Sequence, residues 1–360
     1  MRIAVDAMGA DAAPRVEVEG VLSAVREADL EVVLVGDEQQ VRRTLAEVAP
    51  SGLPERVRIH HAPEAITMND APAAVVRQKK NSSMRLCFDL AKARDVDGLV
   101  SAGNSGAMMA AGLFVLGRSP GVERPAIVTT FPTKRGQCAL LDMGANVDTR
   151  PDVLAQFAVL GTVYARLSHG KTRPRVGLLS NGAEEHKGTV LTRETHQLLS
   201  RAGQSGSSRT EFEYLGYVEG RDIFDGAVDV IVTDGFTGNV LLKGLEGLAE
   251  AVFHMVAEEV AHGSPLEKLG ALLMKPALRR FKRKTDYAEI GGAPLLGVEG
   301  VAVICHGGSD GRAIKNAILA ASRFARTDLA QELRQAVRTH AFLWEDEPAP
   351  SGSSAKGLPS

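Results

Sequence analysis

Three side chains in this 360-residue sequence have the type and setting to work on an anionic or carbonyl substrate. Lys187 lies in a glycine-bounded loop, Gly182 to Gly188, where an ammonium could hold a phosphate or stabilise a developing oxyanion. His306 is the only histidine at a strand end, in His306-Gly307-Gly308-Ser309, where a phosphate or carbonyl contact is open to it. Asn239 opens an apolar-spaced helix after the turn Asp234-Gly235-Phe236-Thr237-Gly238. Each has a plainer reading: a solvated loop lysine, a satisfied structural histidine, an ordinary strand-to-helix connection. The functional reading gains because the pattern recurs.

Six strand ends carry small or polar turns: Asp6–Asp11, Ser101–Ala107, Asp142–Asn146, Asn181–Gly188, Asp234–Asn239 and His306–Ser309. If they converge at one sheet edge, the pocket between them is rich in backbone N–H groups, several at helix starts. Such a pocket suits phosphate. None is a nucleotide fingerprint: Gly9 is followed by Ala10-Asp11 rather than completing GxGxxG, and GxxxxGK[ST] does not occur. HExxH and GxSxG are also missing. His60 and His61 read as structural.

The elements that must position these turns alternate. A strand over Arg2–Val5 precedes a helix over Pro14–Ala28, and Glu31–Gly36 precedes a helix over Glu38–Val48. Further strands are predicted at Val57–His60, Gly98–Ser101, Arg175–Leu179, Phe212–Tyr217, Val230–Val232 and Val301–Cys305. Helices are predicted at Pro72–Lys79, Arg85–Ala93, Pro151–Leu167 and Arg312–Arg326, with others after Ala107 and from about Asn239. Ala126–Phe131 and Gln137–Leu141 read as a hairpin. Strand, turn and helix at this spacing predict an α/β fold with a doubly wound, mostly parallel sheet. One large domain over 1–344 and a Pro/Ser/Gly-rich disordered tail over 345–360 are expected.

Bulk composition narrows the classes. At 44% apolar residues the chain can bury a large core, and a net charge of −2 argues against a general nucleic-acid binder. Cys87, Cys138 and Cys305 fit no CxxC or zinc spacing and read as reduced core thiols in a cytosolic protein. No run approaches the roughly 18 apolar residues of a membrane span, and no export signal stands at the start.

Taken together, DAMGAD (6–11), SAGNSGA (101–107), RPA (124–126), LLDMGANVD (140–148), GAEEHKG (182–188), VEGRDIFDG (218–226), DGFTGNVLLK (234–243), GGAPLLGVEG (291–300) and HGGSD (306–310) resemble the acyl-ACP:phosphate acyltransferases, the PlsX family. The match runs in order over about residues 1–330; Ala10, Ser105 and Met143 stand where the family more often has Gly, Thr and Val. The resemblance implies transfer of a long fatty acyl group from acyl carrier protein to inorganic phosphate. The product, an acyl phosphate, would serve a membrane glycerol-3-phosphate acyltransferase in phospholipid synthesis. It also implies a homodimer and the fold of phosphotransacetylases and of isocitrate/isopropylmalate dehydrogenases; no cofactor or metal is expected. Those dehydrogenases present two metal-binding aspartates four residues apart where this chain has Asn239 and Lys243, which favours an anion over a divalent cation.

On this reading phosphate is itself the nucleophile, so no triad or activated cysteine is required. Asn104, Ser105 and the Gly103/Gly106 backbone, with Lys187, are expected to hold phosphate. Asn239, Thr237 and His306 are expected at the carbonyl or thioester, and Asp6, Asn146 and Asp234 complete the candidate binding set. The rivals are a short-chain phosphotransacetylase using acetyl-CoA, a metal- and NAD-dependent hydroxyacid dehydrogenase, which the missing aspartates disfavour, and a membrane-docked scaffold.

A basic helical insertion is expected at about 260–286. Its Pro265–Lys284 stretch holds seven basic residues, among them Lys275, Arg279, Arg280 and Lys282, against the single acid Glu267. Leu269, Leu273 and Phe281 lie on its apolar side, and Pro276 is expected to split it into two short helices. The segment suits an anionic membrane surface, and equally the acidic carrier protein or a dimer partner. The expected location is cytoplasmic and peripheral to the membrane.

Overall fold

The computed structural model describes residues 1–50, 52–204, 210–285 and 291–345, with the side chains of 203, 204, 279 and 281–285 outside the description. The expected tail therefore lies outside it, apart from Glu345.

Apolar runs bounded by turns give the strands β1 (Arg2–Asp6), β2 (Glu31–Gly36), β3 (Val57–His61), β4 (Gly98–Ser101), β5 (Ala126–Ile127), β6 (Thr129–Thr133), β7 (Gly136–Leu141), β8 (Arg175–Leu179), β9 (Glu213–Val218), β10 (Val230–Val232), β11 (Ala293–Leu296) and β12 (Ala302–Ile304). Between them lie α1 (Arg15–Glu27), α2 (Glu38–Val48), α3 (Pro72–Gln78), α4 (Ser83–Lys92), α5 (Ser105–Ala111), α6 (Pro151–His169), α7 (Val190–Gln204), α8 (Gly235–His262), α9 (Pro265–Thr285), α10 (Gly311–Arg326) and α11 (Leu329–Thr339).

The strands form two sheets rather than one. The first has seven strands in the order β3-β2-β1-β4-β12-β11-β5, and the second has five in the order β6-β7-β10-β8-β9. Neighbours are parallel except around β11 and at the β6–β7 hairpin. The chain crosses from one sheet to the other between β5 and β6, with Val128 alone separating them. Central strands β1, β4, β10 and β12 are buried or nearly so along their length, as parallel strands covered on both faces must be. Helix α6 is apolar on most sides because it packs on β7 and β10 inside the second layer; a methyl group on Gly161 would lie 2.5 Å from Val230 Cγ1 and 2.8 Å from Leu141 Cδ2.

Three expectations change. Helix α8 starts at Gly235, not near Asn239, because Asp234 caps it: the Asp234 carboxylate accepts from Thr237 N at 2.8 Å. Helix α9 continues through Pro276, since losing one N–H donor in a 21-residue helix leaves the neighbouring turns intact. Strand β11 and helices α7 and α11 were not expected from the sequence pattern. Among the described residues no helix is long and apolar enough to cross a membrane.

Helix α8 stands out from the body: of its 28 residues only Gly235 and Gly238 are buried. Those two glycines seat it. A Cβ on Gly238 would lie 2.0 Å from the Asp142 carbonyl oxygen, and one on Gly235 would lie 2.6 Å from the Asn146 carbonyl oxygen. The Gly238→Ala variant is therefore expected to lose about 1–3 kcal/mol or more of stability, read as a lower urea midpoint at unchanged slope. A midpoint equal to that of the parent would show that this contact is not tight.

On the first sheet, Glu17 of α1 is fully buried; one carboxylate oxygen accepts from Ala10 N at 2.9 Å and the other finds no partner. Burial holds its pKa at about 8, against an ordinary 4.5. The folded chain therefore keeps a proton across that window which the unfolded chain has lost, and stability falls as pH rises from 4.5 towards 8. Glu17→Gln, neutral throughout, should match the parent near about pH 5 and exceed it near about pH 8 by on the order of a few kcal/mol in denaturant titrations. Parallel pH profiles for the two proteins would refute a buried neutral carboxyl.

Candidate active site

Because β1, β4 and β12 run parallel in one sheet and β7, β10 and β8 in the other, the six turns lie at the C-terminal edges of the two sheets. Four of them meet in a cleft of about 300 Å³, which draws Ser105, His306 and Ser309 from the first sheet and Met143, Gly144, Asn239 and Lys243 from the second. Ile127, Leu242, Ala293, Ile304 and Ala313 give the cleft an apolar surface beside these polar groups.

The Asp142–Asn146 turn is organised by the buried Asp142 carboxylate. It accepts from Asn146 N at 2.6 Å, Asn146 Nδ2 at 2.9 Å, and Ala145 N and Ile127 N at 3.1 Å each. Asn146 is itself 5% exposed and donates to the Pro125 carbonyl at 2.7 Å. It is thus a scaffold residue rather than a cleft contact. Gly144, at φ +119°, keeps the space beside Asn239 open, since its Cβ would lie 3.4 Å from the Asn239 side chain. Asn239 is exposed on the first turns of α8, one helical turn before Lys243. Lys243 Nζ is paired with Glu246 at 2.8 Å, so the cleft's cation is part-neutralised by a carboxylate on the same helix.

Other expected ligands have structural partners. Asn104 caps α5, accepting from Ala107 N at 3.0 Å and donating to the carbonyls of Thr67, Met68 and Asp70 at 3.2–3.4 Å. Its amide thereby pins the Thr67–Asp70 loop, leaving Ser105 as the member of that turn that lines the cleft. Gly103 and Gly106 are close-packed rather than open, their Cβ positions lying 2.7 Å from Met84 Cε and from Pro72 Cγ. Asp6 is buried behind the turns; it accepts from Ser101 Oγ at 2.7 Å and Met8 N at 3.1 Å, and burial pushes its pKa up. Asp234 and Thr237 satisfy each other, with Thr237 Oγ1 donating to the Asp234 carboxylate at 2.8 Å.

Lys187 does not line the cleft. Its loop follows β8, which neighbours β10 in the sheet, and the loop is closed by Gly188 N donating to Asn181 Oδ1 at 2.9 Å. The lysine stem lies along Gly182, where a Cβ would sit 2.9 Å from its Cγ. His306 Nδ1 accepts from Gly308 N at 3.1 Å, which places the proton of the neutral ring on Nε2. Cys305 also lines the cleft, but burial pushes its thiol up to about 12, well away from a thiolate nucleophile. Among the described residues no cluster of His, Cys, Asp and Glu is arranged to hold a metal ion. Ser309 and Lys243 are cleft residues absent from the expected ligand set; Lys243 was legible from its spacing with Asn239, whereas Ser309 looked like ordinary turn chemistry.

Comparisons with known proteins bear on the family and the fold. The model of the family described as "Fatty acid synthesis protein" matches residues 1–332. A protein from Geobacter sulfurreducens named "Phosphate acyltransferase" is 53% identical over 339 residues, covering 94% of this chain and 95% of that one. A protein of the same name from Citrifermentans bemidjiense is 49% identical over 360 residues, covering 99% of each. Among solved structures, a phosphotransacetylase from Streptococcus pyogenes superposes with a TM-score of 0.59 at 16% identity, covering 91% of this chain and 94% of that one. The EutD phosphotransacetylase from Staphylococcus aureus gives 0.54, also at 16% identity, covering 90% and 94%. The structural likeness establishes the phosphotransacetylase fold, and the near full-length sequence matches establish the rest: the chain belongs to the fatty acid synthesis protein family and is an acyltransferase.

Proposed function

We propose that the protein transfers a long-chain fatty acyl group from the thioester of acyl carrier protein to inorganic phosphate, releasing an acyl phosphate for phospholipid synthesis. The observation that carries this reading is the cleft itself. It sets an amide, an ammonium and hydroxyls beside Ile127, Met143, Leu242 and Ile304, so an anion and an apolar chain can meet in one cavity. Phosphate supplies the nucleophilic oxygen; the protein has to position it, orient the thioester and stabilise the charge that passes to the carbonyl oxygen. Asn239, Lys243, Ser105 and His306 line the cleft and are assigned that work. Lys187, which lies in the neighbouring loop outside the cleft, is assigned to the phosphate by its charge alone. The names of the curated relatives support phosphate as acceptor.

The partners follow from the exposed helices. On α8, Leu248, Val252, Phe253, Met255 and Val256 are exposed, a face that a second copy of the chain covers in a homodimer. On α9, Leu269 and Leu273 are 52% and 73% exposed beside Lys275 and Arg280; the side chains of Arg279, Phe281 and Lys282 lie outside the described residues. We assign this basic, apolar segment to an anionic membrane surface, which keeps the product near a membrane glycerol-3-phosphate acyltransferase. The phosphotransacetylase neighbours favour a second reading, transfer from acetyl-CoA by the same chemistry.

The purified protein, without added metal, is expected to form acyl phosphate from palmitoyl carrier protein and phosphate, trapped as the hydroxamate, and to do so faster than from acetyl-CoA. Faster turnover of acetyl-CoA would establish the second reading instead. Asn239→Ala and Lys187→Ala should each lower kcat/KM by about 10²-fold or more, and near-parental turnover in either removes that residue from the chemistry. Reversing charge at Arg279, Arg280 and Lys282 should abolish co-sedimentation with anionic vesicles while leaving turnover of soluble substrate close to parental. Unchanged sedimentation would move the segment's role to the carrier protein or the dimer.

A further inference from the structure

Ser309 is 4% exposed and lines the cleft, yet its hydroxyl is fully buried with no hydrogen-bond partner among the described residues. A serine just before a helix ordinarily earns its place as the N-cap. Here Asp310 takes that role, accepting from Ala313 N at 2.8 Å at the start of the 16-residue α10. The backbone N–H of Ser309 is also committed, donating to the His306 carbonyl at 3.0 Å. Backbone and cap therefore fix the residue while its side chain stays unmatched, which in the free protein destabilises the fold.

The surroundings say which group the hydroxyl would meet. On the Ser309 side the cleft is lined by Ile304, Cys305, His306 and Ala313, with no acid and no lysine or arginine among them, whereas the ammonium of Lys243 and its partner Glu246 come from α8 on the other sheet. A phosphate dianion belongs at the wall that carries the ammonium. The neutral wall suits a carbonyl that becomes charged only during reaction, and the N-terminus of α10 adds a favourable dipole there.

Resting on the acyl-transfer reading above, we propose that Ser309 is a catalytic residue whose hydroxyl donates to the thioester carbonyl oxygen as it becomes an oxyanion. One oxygen of hydrogen phosphate bonds to the carbonyl carbon while the C=O π pair moves on to oxygen. The oxyanion then re-forms the double bond and the C–S bond breaks. The departing thiolate takes the proton that hydrogen phosphate carried in, leaving acyl phosphate and the free thiol. Ser309 gives up no proton and forms no covalent bond; its buried hydroxyl turns about χ1 into the cleft and supplies a donor where charge develops.

The test compares the parent, Ser309→Ala and Ser309→Thr with palmitoyl carrier protein and phosphate, measuring kcat, the KM for phosphate and thermal midpoints. Ser309→Ala should lose about 10²-fold in kcat with the KM for phosphate little changed, and should melt at or above the parent because an unmatched polar group has gone. Ser309→Thr, which keeps a hydroxyl, should recover part of kcat. A parental kcat in Ser309→Ala overturns the proposal, as does a loss of kcat matched by a fall in the midpoint. A parent that fails with carrier protein but turns over palmitoyl-CoA overturns only the donor, and the same three proteins are then compared on palmitoyl-CoA. A parent inactive with both thioesters overturns the acyl-transfer reading and the role of Ser309 together.

Discussion

The contact on which the site depends is backbone against backbone: the first turn of α8 lies on the Asp142–Asn146 loop. Gly235 and Gly238 remove the side chains that would hold the two apart, and Gly235 N donates to the Asn146 carbonyl at 2.8 Å across the join. Neither partner would keep its shape alone. The loop is held by one buried carboxylate accepting four N–H donors, and burial pushes the Asp142 pKa up against those bonds. The helix start is held by Asp234. Moving the helix outward by the thickness of a methyl group would carry Asn239 and Lys243 away from the Ser105 and His306 walls, and the cleft would open into solvent.

Two sheets make this arrangement possible. In a single doubly wound sheet the strand ends sit side by side along one edge; here the edges of two sheets face across a gap and each supplies one wall. The chain changes sheets at Val128, and Ile127 and Thr129 on either side of it line the cleft. Charge is divided between the walls. Lys243, paired with Glu246, stands on one, and neutral donors stand on the other.

Most of the strands and all six turns were legible because apolar runs ending in Gly, Asp, Asn or Ser are local signals. The split into two sheets was not, since it depends on which distant strands pair, and β11 is too short and proline-bearing to announce itself. The start of α8 was misread because a glycine-rich first turn looks like loop until Asp234 is seen capping it. Among the site residues, side-chain type suggested ligands but could not show prior commitments. Asn104 and Asn146 carry the right amide, and both spend it on carbonyl groups of neighbouring loops. Ser309 is the reverse case: nothing in HGGSD marks it, and only burial without a partner singles it out.

Helix α8 links the cleft to the basic segment, and its length constrains how the two can cooperate. At about 1.5 Å per residue its 28 residues reach roughly 40 Å, so α9 begins far from the reacting atoms. Helix α9 also touches β6, whose Thr129 lines the cleft, so it is only a membrane or carrier protein docked where α9 begins that is too distant to contribute groups to the chemistry. What it can supply is local concentration, keeping a thioester in and a lipid product beside the surface that consumes it. Only the first turn of this helix is buried while Leu248, Val252, Met255 and Val256 beyond it are exposed, which adds weight to the proposal of a second copy along that face. That partner would cover the helix beyond its first turn, while the first turn, and with it Asn239, is seated on the Asp142–Asn146 loop by the Asp234 cap and the two glycines.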